Sequence, residues 1–172
     1  MIFKPPIEKN FSRLIDANLD RAREGLRVIE DWCRFSLNRG DLVLKIKDWR
    51  HQLSSHHHEF YKQARSTSTD QGALLDHPEQ RHRTTSDEII AANCSRVQEA
   101  LRVLEEFART SDPDLATTAA KIRYKIYGLE ITLLKSNIRI NRIRRLQESN
   151  LYLITNSQQD LLQTISSSLS AG

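Results

Sequence analysis

The sequence predicts an all-α fold in which two repeated long helical hairpins pack as one bundle with pseudo-twofold symmetry. Two observations support this prediction. The 172 residues include only five glycines and four prolines, and a shortage of turn residues favours long helices. In addition, residues 16–36 resemble residues 91–111 when the two segments are aligned at an offset of 75 positions. A repeat of this kind indicates one structural unit built twice.

Many of the side chains shared by the two copies are polar. Ten of the 21 aligned positions are identical, and six of those ten are charged or amide residues. The identical pairs are Ala17/Ala92, Asn18/Asn93, Arg21/Arg96, Glu24/Glu99, Leu26/Leu101, Arg27/Arg102, Val28/Val103, Glu30/Glu105, Arg34/Arg109 and Ser36/Ser111. Packing alone would preserve the apolar positions and let the others diverge. The polar identities therefore indicate a binding site or a buried polar network that is built twice.

The first hairpin is predicted at residues 12–64. Its first helix runs from about residue 12 to about residue 38, where Asn38-Arg39-Gly40 supplies a stop and Asp41 a new N-cap. Its second helix, at about residues 42–64, carries apolar residues at heptad-like spacing. They are Leu42, Ile46, Trp49, Leu53 and Phe60.

The second hairpin is predicted at residues 85–148, after a loop at residues 65–84 that lacks helical periodicity. Thr85 and Glu88 have the spacing of a capping box, which predicts the start of the third helix. Pro113 suits the first position of the fourth helix. That helix is expected to continue past Arg144, because apolar residues recur along it up to Ile143.

Composition and charge exclude several classes of protein. Hydrophobic residues make up 38% of the chain, and no stretch approaches the roughly 20 apolar residues of a membrane span. The start MIFKPPIEKN lacks the apolar region of a signal peptide, so a cytoplasmic protein without a membrane partner is expected. Cys33 and Cys94 are expected to be reduced packing residues. Nucleic-acid binding is disfavoured, because the basic stretch at residues 135–145 has no interleaved aromatic residues.

The repeated helix places polar residues on its apolar face. At about 100° per residue, Asn18 lies in the middle of that face, Arg21 lies within it and Glu24 at its edge, with Gly25 between them. The second copy repeats the arrangement with Asn93, Arg96, Glu99 and Ala100. Buried guanidinium groups need partners. One hypothesis is a closed polar network, with Arg21 paired to Glu24 or Glu99; the other is an anionic ligand held by the arginines. Arg27, Glu30 and Arg34 are interpreted as surface ion pairs.

Two further segments carry residues typical of binding sites. The loop residues Arg65, Thr67, Asp70 and Gly72 are of the types that surround a phosphate, although no P-loop or Gly-x-Gly-x-x-Gly motif is present. A solvated linker is the alternative for this loop. The run of histidines at residues 56–58 is predicted to lie in a helix, where three consecutive side chains point in three directions. No metal site is therefore predicted.

The end of the chain differs from the rest. Residues 151–155, LYLIT, read as a buried strand, and residues 160–169 show helical spacing. A lone strand is not stable. The sequence therefore predicts a helical domain at residues 1–149 and, at residues 150–172, an orphan β/α segment that is the truncated start of another domain.

These motifs resemble a known family. The segments DANLDRAREGLRVIEDWCRF, RVQEALRVLEEFAR, KIRYKIYGLE and LYLIT are similar to thiamine phosphate synthases of the cyanobacterial type. The resemblance covers nearly the whole chain. It implies a helical N-terminal domain ahead of a TIM-barrel synthase domain, of which residues 151–155 would be the first strand. The synthase reaction, which joins a pyrimidine diphosphate to a thiazole phosphate with Mg²⁺, would then use residues beyond this chain.

The resemblance also implies a function for the helical domain. Similar domains are thought to phosphorylate hydroxymethylpyrimidine phosphate, which would require ATP. The loop departs from the family pattern at Ser66, Gln71 and Ala73. The expected ligand is a phosphorylated hydroxymethylpyrimidine, bound by Asn18, Arg21, Glu24, Asn93, Arg96, Glu99, Arg65, Thr67, Asp70 and Gly72. The alternative is a non-catalytic interaction domain that makes the enzyme a homodimer.

Overall fold

The all-α prediction is confirmed in the part of the chain that the structure describes. The structure is a computed structural model, and it describes residues 9–66, 70, 82–149 and 165–167. No strand occurs among these residues. The helices are α1 (Lys9–Phe35), α2 (Gly40–Ser55), α3 (Glu59–Gln63), α4 (Ser86–Phe107) and α5 (Pro113–Glu148).

The two copies of the repeat form α1 and α4, which pack against each other, and α1 also contacts α2 and α3. Equivalent apolar residues of both copies are fully buried in one core, for example Leu26 and Leu101. The helices approach closely at Gly25, because a Cβ atom built there would lie 2.7 Å from Val97 Cγ2 and 3.3 Å from the Asn93 carbonyl oxygen. The atoms of α4 that approach Gly25 most closely therefore belong to Val97 and Asn93. The pseudo-twofold relation of the hairpins stays a prediction.

The connection between α1 and α2, residues 36–39, begins earlier in the chain than predicted. Helix α1 ends at Phe35, and Asn38 has a φ of 51°, in the left-handed region that asparagine tolerates better than most residues. The N-cap of α2 is Arg39 and not Asp41, and no side chain caps this end. The carboxylate of Asp41 instead accepts two hydrogen bonds of 2.7 Å from the Arg39 guanidinium, which lower the pKa of Asp41 to about 2.

The predicted second helix, at residues 42–64, is wrong as a single element. Helix α2 ends at Ser55 and α3 begins at Glu59, so the histidine run forms the turn between two helices. The four predicted apolar residues of α2 are buried. The break changes the pattern beyond it, where Tyr61 is fully buried and Phe60 is 45% exposed.

The start of the second hairpin agrees with the sequence. The Thr85 side chain accepts from the Glu88 amide, and the Glu88 side chain accepts from the Thr85 amide, which confirms the capping box. Helix α5 begins at Pro113 and continues past Arg144, as predicted. Its apolar stripe is buried only as far as Leu133, and Ile143 is exposed.

The chain divides into two compact units, Met1–Leu134 and Lys135–Gly172. In the second unit, the five basic residues of the stretch at residues 135–145 are exposed. Residues 165–167 are helical, within the predicted 160–169 helix. The predicted strand at residues 151–155 lies outside the described residues, and the domain boundary at residue 149 stays a prediction. No helix of the described part has the length and apolar character required to cross a bilayer.

Candidate functional site

A cavity of about 740 Å³ lies between α1 and α4. All of its lining residues belong to the repeat, and they form five pairs of equivalent positions. The pairs are Asn18/Asn93, Arg21/Arg96, Glu24/Glu99, Gly25/Ala100 and Val28/Val103. The six residues that the repeat predicted as ligand-binding are therefore brought together in one cavity, and each copy contributes the same set. The small side chains at Gly25 and Ala100 leave room above the helix backbone.

The two asparagines lie deep in this cavity, each 5% exposed. Each donates a hydrogen bond from its side-chain NH₂ group to the carbonyl oxygen four residues earlier in its own helix. The distances are 2.9 Å from Asn18 to Leu14 and 2.8 Å from Asn93 to Ile89. This bond fixes the orientation of the amide and uses one of its donors. The side-chain carbonyl oxygen and one N–H remain for a ligand.

The two arginines of the cavity are exposed, so the expectation that they are buried is wrong. In the described part of the chain, neither Arg21 nor Arg96 makes a hydrogen bond or an ion pair. The closed network in which Arg21 pairs with Glu24 or Glu99 is therefore absent from these residues. An exposed guanidinium without a partner keeps its five donors available to an anion.

The two glutamates of the cavity are also exposed. Glu99 accepts a 3.0 Å hydrogen bond from the Ser95 hydroxyl, whereas Glu24 has no partner among the described residues. The equivalent of Ser95 in the first copy is Asp20, which cannot donate when ionised. The cavity thus presents two guanidinium groups, two carboxylates and two amides.

Arg65 lies in a different cluster, so the expectation that it closes this cavity is wrong. Its guanidinium donates hydrogen bonds of 2.7 and 3.0 Å to Asp16 and one of 2.5 Å to Asp20. A helix turns about 100° per residue, so Asp16 and Asp20 lie on the face of α1 opposite Asn18. His57, whose side chain is only 4% exposed, contacts Asp16 at 2.8 Å.

The electrostatics of this second cluster are balanced. Burial alone would raise the pKa of Asp16, but the hydrogen bonds with Arg65 and His57 outweigh burial and hold that pKa below its usual value of 3.8. The hydrogen bond to Asp16 raises the pKa of Arg65. These groups neutralise one another, which indicates a structural role in fixing the segment after α3 to α1.

Of the remaining predicted loop residues, the structure describes Asp70, which does not line the cavity. Asp70 is exposed and pairs with Arg13 at 3.8 Å. Thr67 and Gly72 lie outside the described residues. A phosphate-binding role for this loop stays a prediction.

Sequence reasoning assigned one buried ion pair to the surface. Glu30 is fully buried, and its Oε2 accepts a 2.6 Å hydrogen bond from Arg50 of α2. The equivalent Glu105 accepts bonds of 2.8 and 3.1 Å from Arg123 of α5. The sequence signal that could have indicated both ion pairs was the identity of Glu30 and Glu105 in the repeat. Cys33 and Cys94 are free and buried, as expected.

Residues 13–132, well over half of the chain, match the ThiD2 family. The chain is 57% identical over its whole length to "Thiamine-phosphate synthase" of Prochlorococcus marinus (strain MIT 9313), and this match covers 50% of that relative. It is 55% identical to the protein of the same name from Synechococcus sp. (strain CC9605), over 96% of this chain and 47% of the relative. The chain thus spans about half the length of these relatives. No solved structure matches it. The chain belongs to the ThiD2 family.

Proposed function

We propose that this chain acts in thiamine biosynthesis and that the cavity between α1 and α4 binds a phosphorylated hydroxymethylpyrimidine. The relatives named thiamine-phosphate synthase support the pathway, because their match covers nearly all of this chain. The composition of the cavity supports the ligand. The full-length enzyme is expected to carry out the synthase reaction with residues outside this chain.

One observation carries the proposal: Arg21 and Arg96 line the same cavity and have no partner in the described part of the chain. Four of the five other arginines of these helices are paired with carboxylates, as Arg102 is with Glu106 at 2.7 Å; the fifth, Arg34, contacts the ring of Phe35. A purely structural repeat would keep its arginines in such pairs. Two unpaired guanidinium groups beside a cavity favour an anionic ligand.

The other lining residues suit the rest of an aminopyrimidine. The oriented amides of Asn18 and Asn93 can each present an acceptor and a donor, which matches the donor–acceptor edge of the ring. Glu24 or Glu99 can accept a hydrogen bond from the exocyclic amine. The guanidinium groups can bind two phosphate oxygens at once. Because both copies supply the same groups, the cavity has two equivalent halves.

Phosphorylation of the ligand would require ATP and Mg²⁺, and the cavity has groups that fit the cation. Mg²⁺ in such sites is held by one or two carboxylates together with substrate phosphates. Glu24 and Glu99 are exposed carboxylates that line the cavity. They are the residues that would hold the ion, and Arg21 and Arg96 would then orient the phosphates. The second half of the cavity gives a phosphate donor a place opposite the acceptor.

The test is a titration of the protein with hydroxymethylpyrimidine phosphate, followed by calorimetry, with and without ATP and Mg²⁺. Substitution of either cavity arginine, Arg21→Ala or Arg96→Ala, should weaken binding by about 1.5–3 kcal/mol, the range for a hydrogen bond to a charged group. The matched control is Arg102→Ala, since Arg102 lies on α4 outside the cavity and is about half exposed. This variant should bind as the parent does. A product assay for the diphosphate then measures kinase chemistry.

The same experiment can contradict the proposal. If the parent does not bind the phosphorylated pyrimidine, or if Arg21→Ala and Arg96→Ala bind it as tightly as Arg102→Ala, the cavity is not its site. A folded, non-binding protein that sediments as a homodimer would instead favour the interaction-domain hypothesis. Circular dichroism of each variant separates a loss of binding from a loss of folding.

A further inference from the structure

Two histidines and an aspartate, none of which lines the α1/α4 cavity, converge. His56 and His58 lie in the turn between α2 and α3, and Asp112 directly precedes α5. Asp112 Oδ2 lies 3.7 Å from His56 Nδ1 and 4.0 Å from His58 Nε2. One ligand atom from each of the three residues lies within 4.8 Å of the other two. The cluster therefore joins the first hairpin to the second.

The break between α2 and α3 makes this convergence possible. His56 is the C-cap of α2, with φ −89° and ψ −5°, and His58 is extended, with φ −64° and ψ 152°, so the histidine run leaves the helix instead of continuing it. His56 and His58 accordingly face Asp112, while His57 faces Asp16 at 2.8 Å. The prediction of three diverging helical directions was wrong for this physical reason.

Two hydrogen bonds orient the cluster from outside. His56 Nε2 lies 3.4 Å from the Thr118 hydroxyl oxygen on α5. If His56 carries its proton on Nε2 and donates it there, the lone pair of Nδ1 faces Asp112, which is the tautomer a metal requires. Asp112 Oδ1 accepts a 3.1 Å bond from the Leu115 amide, which leaves Oδ2 facing both histidines. Such outer bonds are typical of histidine and carboxylate ligands in metal sites.

A second group of carboxylates and imidazole, with two aspartates and one histidine, already holds a cation. Asp16, Asp20 and His57 also place their ligand atoms within 4.8 Å of one another. There the carboxylates are taken by Arg65, at 2.5–3.0 Å. Asp112, by contrast, pairs with no lysine or arginine in the described part of the chain. The cluster of Asp112, His56 and His58 therefore lacks a cation, whereas Arg65 supplies one to the cluster of Asp16, Asp20 and His57.

The separations in the cluster suit a shared ion. Both nitrogen–oxygen distances exceed the hydrogen-bond range. Ligands about 2.0–2.1 Å from a tetrahedral metal lie roughly 3.3 Å apart, so each of the two nitrogen–oxygen separations would shorten by less than about 1 Å around an ion. His58 is 50% exposed, which gives an ion access from solvent. Near the cluster, the Tyr61 hydroxyl is buried without a partner among the described residues, and its ring lies 6.0 Å from that of His58.

We propose that His56, His58 and Asp112 bind one divalent transition-metal ion of the zinc type, which fastens the α2–α3 turn to the start of α5. Two imidazoles and one carboxylate are zinc ligands, and they disfavour Mg²⁺, which prefers oxygen ligands alone. Water would take the fourth position. The site is independent of the proposed pyrimidine cavity, since the two share no residue.

The test uses the whole chain, stripped of metal with a chelator and titrated with Zn²⁺ by calorimetry and with Co²⁺ by absorption. We expect one ion per chain and the visible absorption of tetrahedral Co²⁺. Zn²⁺ at about 100 times its Kd should raise Tm by roughly 5–10 °C. Either His56→Ala or Asp112→Asn should lower the affinity for Zn²⁺ at least about tenfold, because even the loss of a residue that only hydrogen-bonds to a metal ligand has an effect of that size. Asparagine is as good an N-cap as aspartate, so Asp112→Asn keeps the end of α5 intact.

The matched control is His51→Ala, because His51 is an exposed histidine of α2 outside the cluster. This variant should bind Zn²⁺ with the affinity of the parent. The proposal is overturned if the stripped parent binds no Zn²⁺. It is overturned equally if His56→Ala and Asp112→Asn bind like the parent, or if His51→Ala loses as much affinity as they do, because binding would then be dispersed over surface histidines.

Discussion

The two copies of the repeat, in α1 and α4, agree on the helical face that lines the cavity and differ over the first half of the opposite face. On the shared face, equivalent residues line the cavity in pairs. Over the first half of the opposite face the chemistry has diverged, in the pairs Asp16/Ala91, Asp20/Ser95 and Arg23/Gln98, whereas further along that face Arg27, Glu30 and Arg34 have identical equivalents. In the first copy these residues hold His57 and Arg65, whereas Gln98 of the second donates a 2.8 Å hydrogen bond to Glu130 on α5. The shared face thus builds the cavity, and the divergent face fastens a different segment in each copy.

A second difference concerns a residue that both copies share. Glu30 and Glu105 each bind an arginine of the following helix, but their surroundings are unlike. Glu30 is fully buried, and in the part of the chain that the structure describes its one other cationic neighbour is Arg27 at 3.6 Å. Glu105 is 13% exposed and is also contacted by Arg102 and Arg109. The same interaction should therefore matter more in the first hairpin than in the second.

The largest effect is expected when the arginine of each pair is removed. Arg50→Ala should lower the free energy of unfolding by about 3–5 kcal/mol, because it leaves the buried Glu30 carboxylate without its closest partner. Arg123→Ala should lower it by only about 1–3 kcal/mol, since Glu105 keeps two other arginines and some solvent. Urea denaturation of both variants measures the difference. Equal losses would show that the two pairs are energetically alike despite their unequal burial.

Much of the fold could be predicted because local chemistry determines it. Thr85 and Glu88 specify the start of α4 through four adjacent residues, and Pro113 similarly fixes the start of α5. The break after Ser55 could not be predicted, because the apolar spacing continues through it. What stabilises that turn is the contact of His57 with Asp16, 41 residues earlier in the chain. Long-range partners of this kind leave no periodic signal.

The residues that line the cavity could be predicted from the repeat, but the burial and pairing of their side chains could not. Placing Asn18 and Arg21 on the inner side of α1 required only the helical period and the identity of the copies. Whether the Arg21 side chain is buried or exposed depends on how closely the two helices approach there. The contact of Val97 with Gly25 sets that distance, and a helical wheel of one helix contains no information about it. The surface position predicted for Glu30 was wrong for the same reason, because its partner Arg50 belongs to another helix.

A smaller effect, with a pH dependence, is expected from the divergent face. Asp16→Asn should lower the free energy of unfolding at neutral pH by about 1.5–3 kcal/mol, because the amide cannot replace the two charged hydrogen bonds with Arg65. The folded pKa of Asp16 is held below the usual 3.8 by Arg65 and His57 in spite of burial. Its contribution is therefore complete above about pH 4 and is lost as the pH falls through the folded pKa.

The measurement is the urea midpoint of parent and variant between pH 7 and about pH 2.5. The gap between the two midpoints should narrow towards the acid end, because Asp16 is protonated first in the unfolded parent and then in the folded one. Asp48→Asn, at an exposed aspartate of α2, is the control and should leave a nearly constant offset from the parent. A gap between parent and Asp16→Asn that stays constant down to pH 2.5 would mean that Asp16 is not held in its charged form by the cluster.

The smallest effect concerns Gly25 and Ala100, the cavity-lining pair in which the two copies differ. Alanine is better than glycine in a helix by about 1 kcal/mol, so Gly128→Ala, where a Cβ would meet nothing within 4 Å, should stabilise the protein by up to that amount. At Gly25 the same change puts a Cβ 2.7 Å from the stiff Val97 side chain, and overpacking costs about 1–3 kcal/mol. The net result should be a loss of roughly 1 kcal/mol, read from thermal unfolding. If Gly25→Ala stabilises as much as Gly128→Ala, α1 and α4 are further apart at the crossing than Val97 indicates, and the cavity beside them is correspondingly wider.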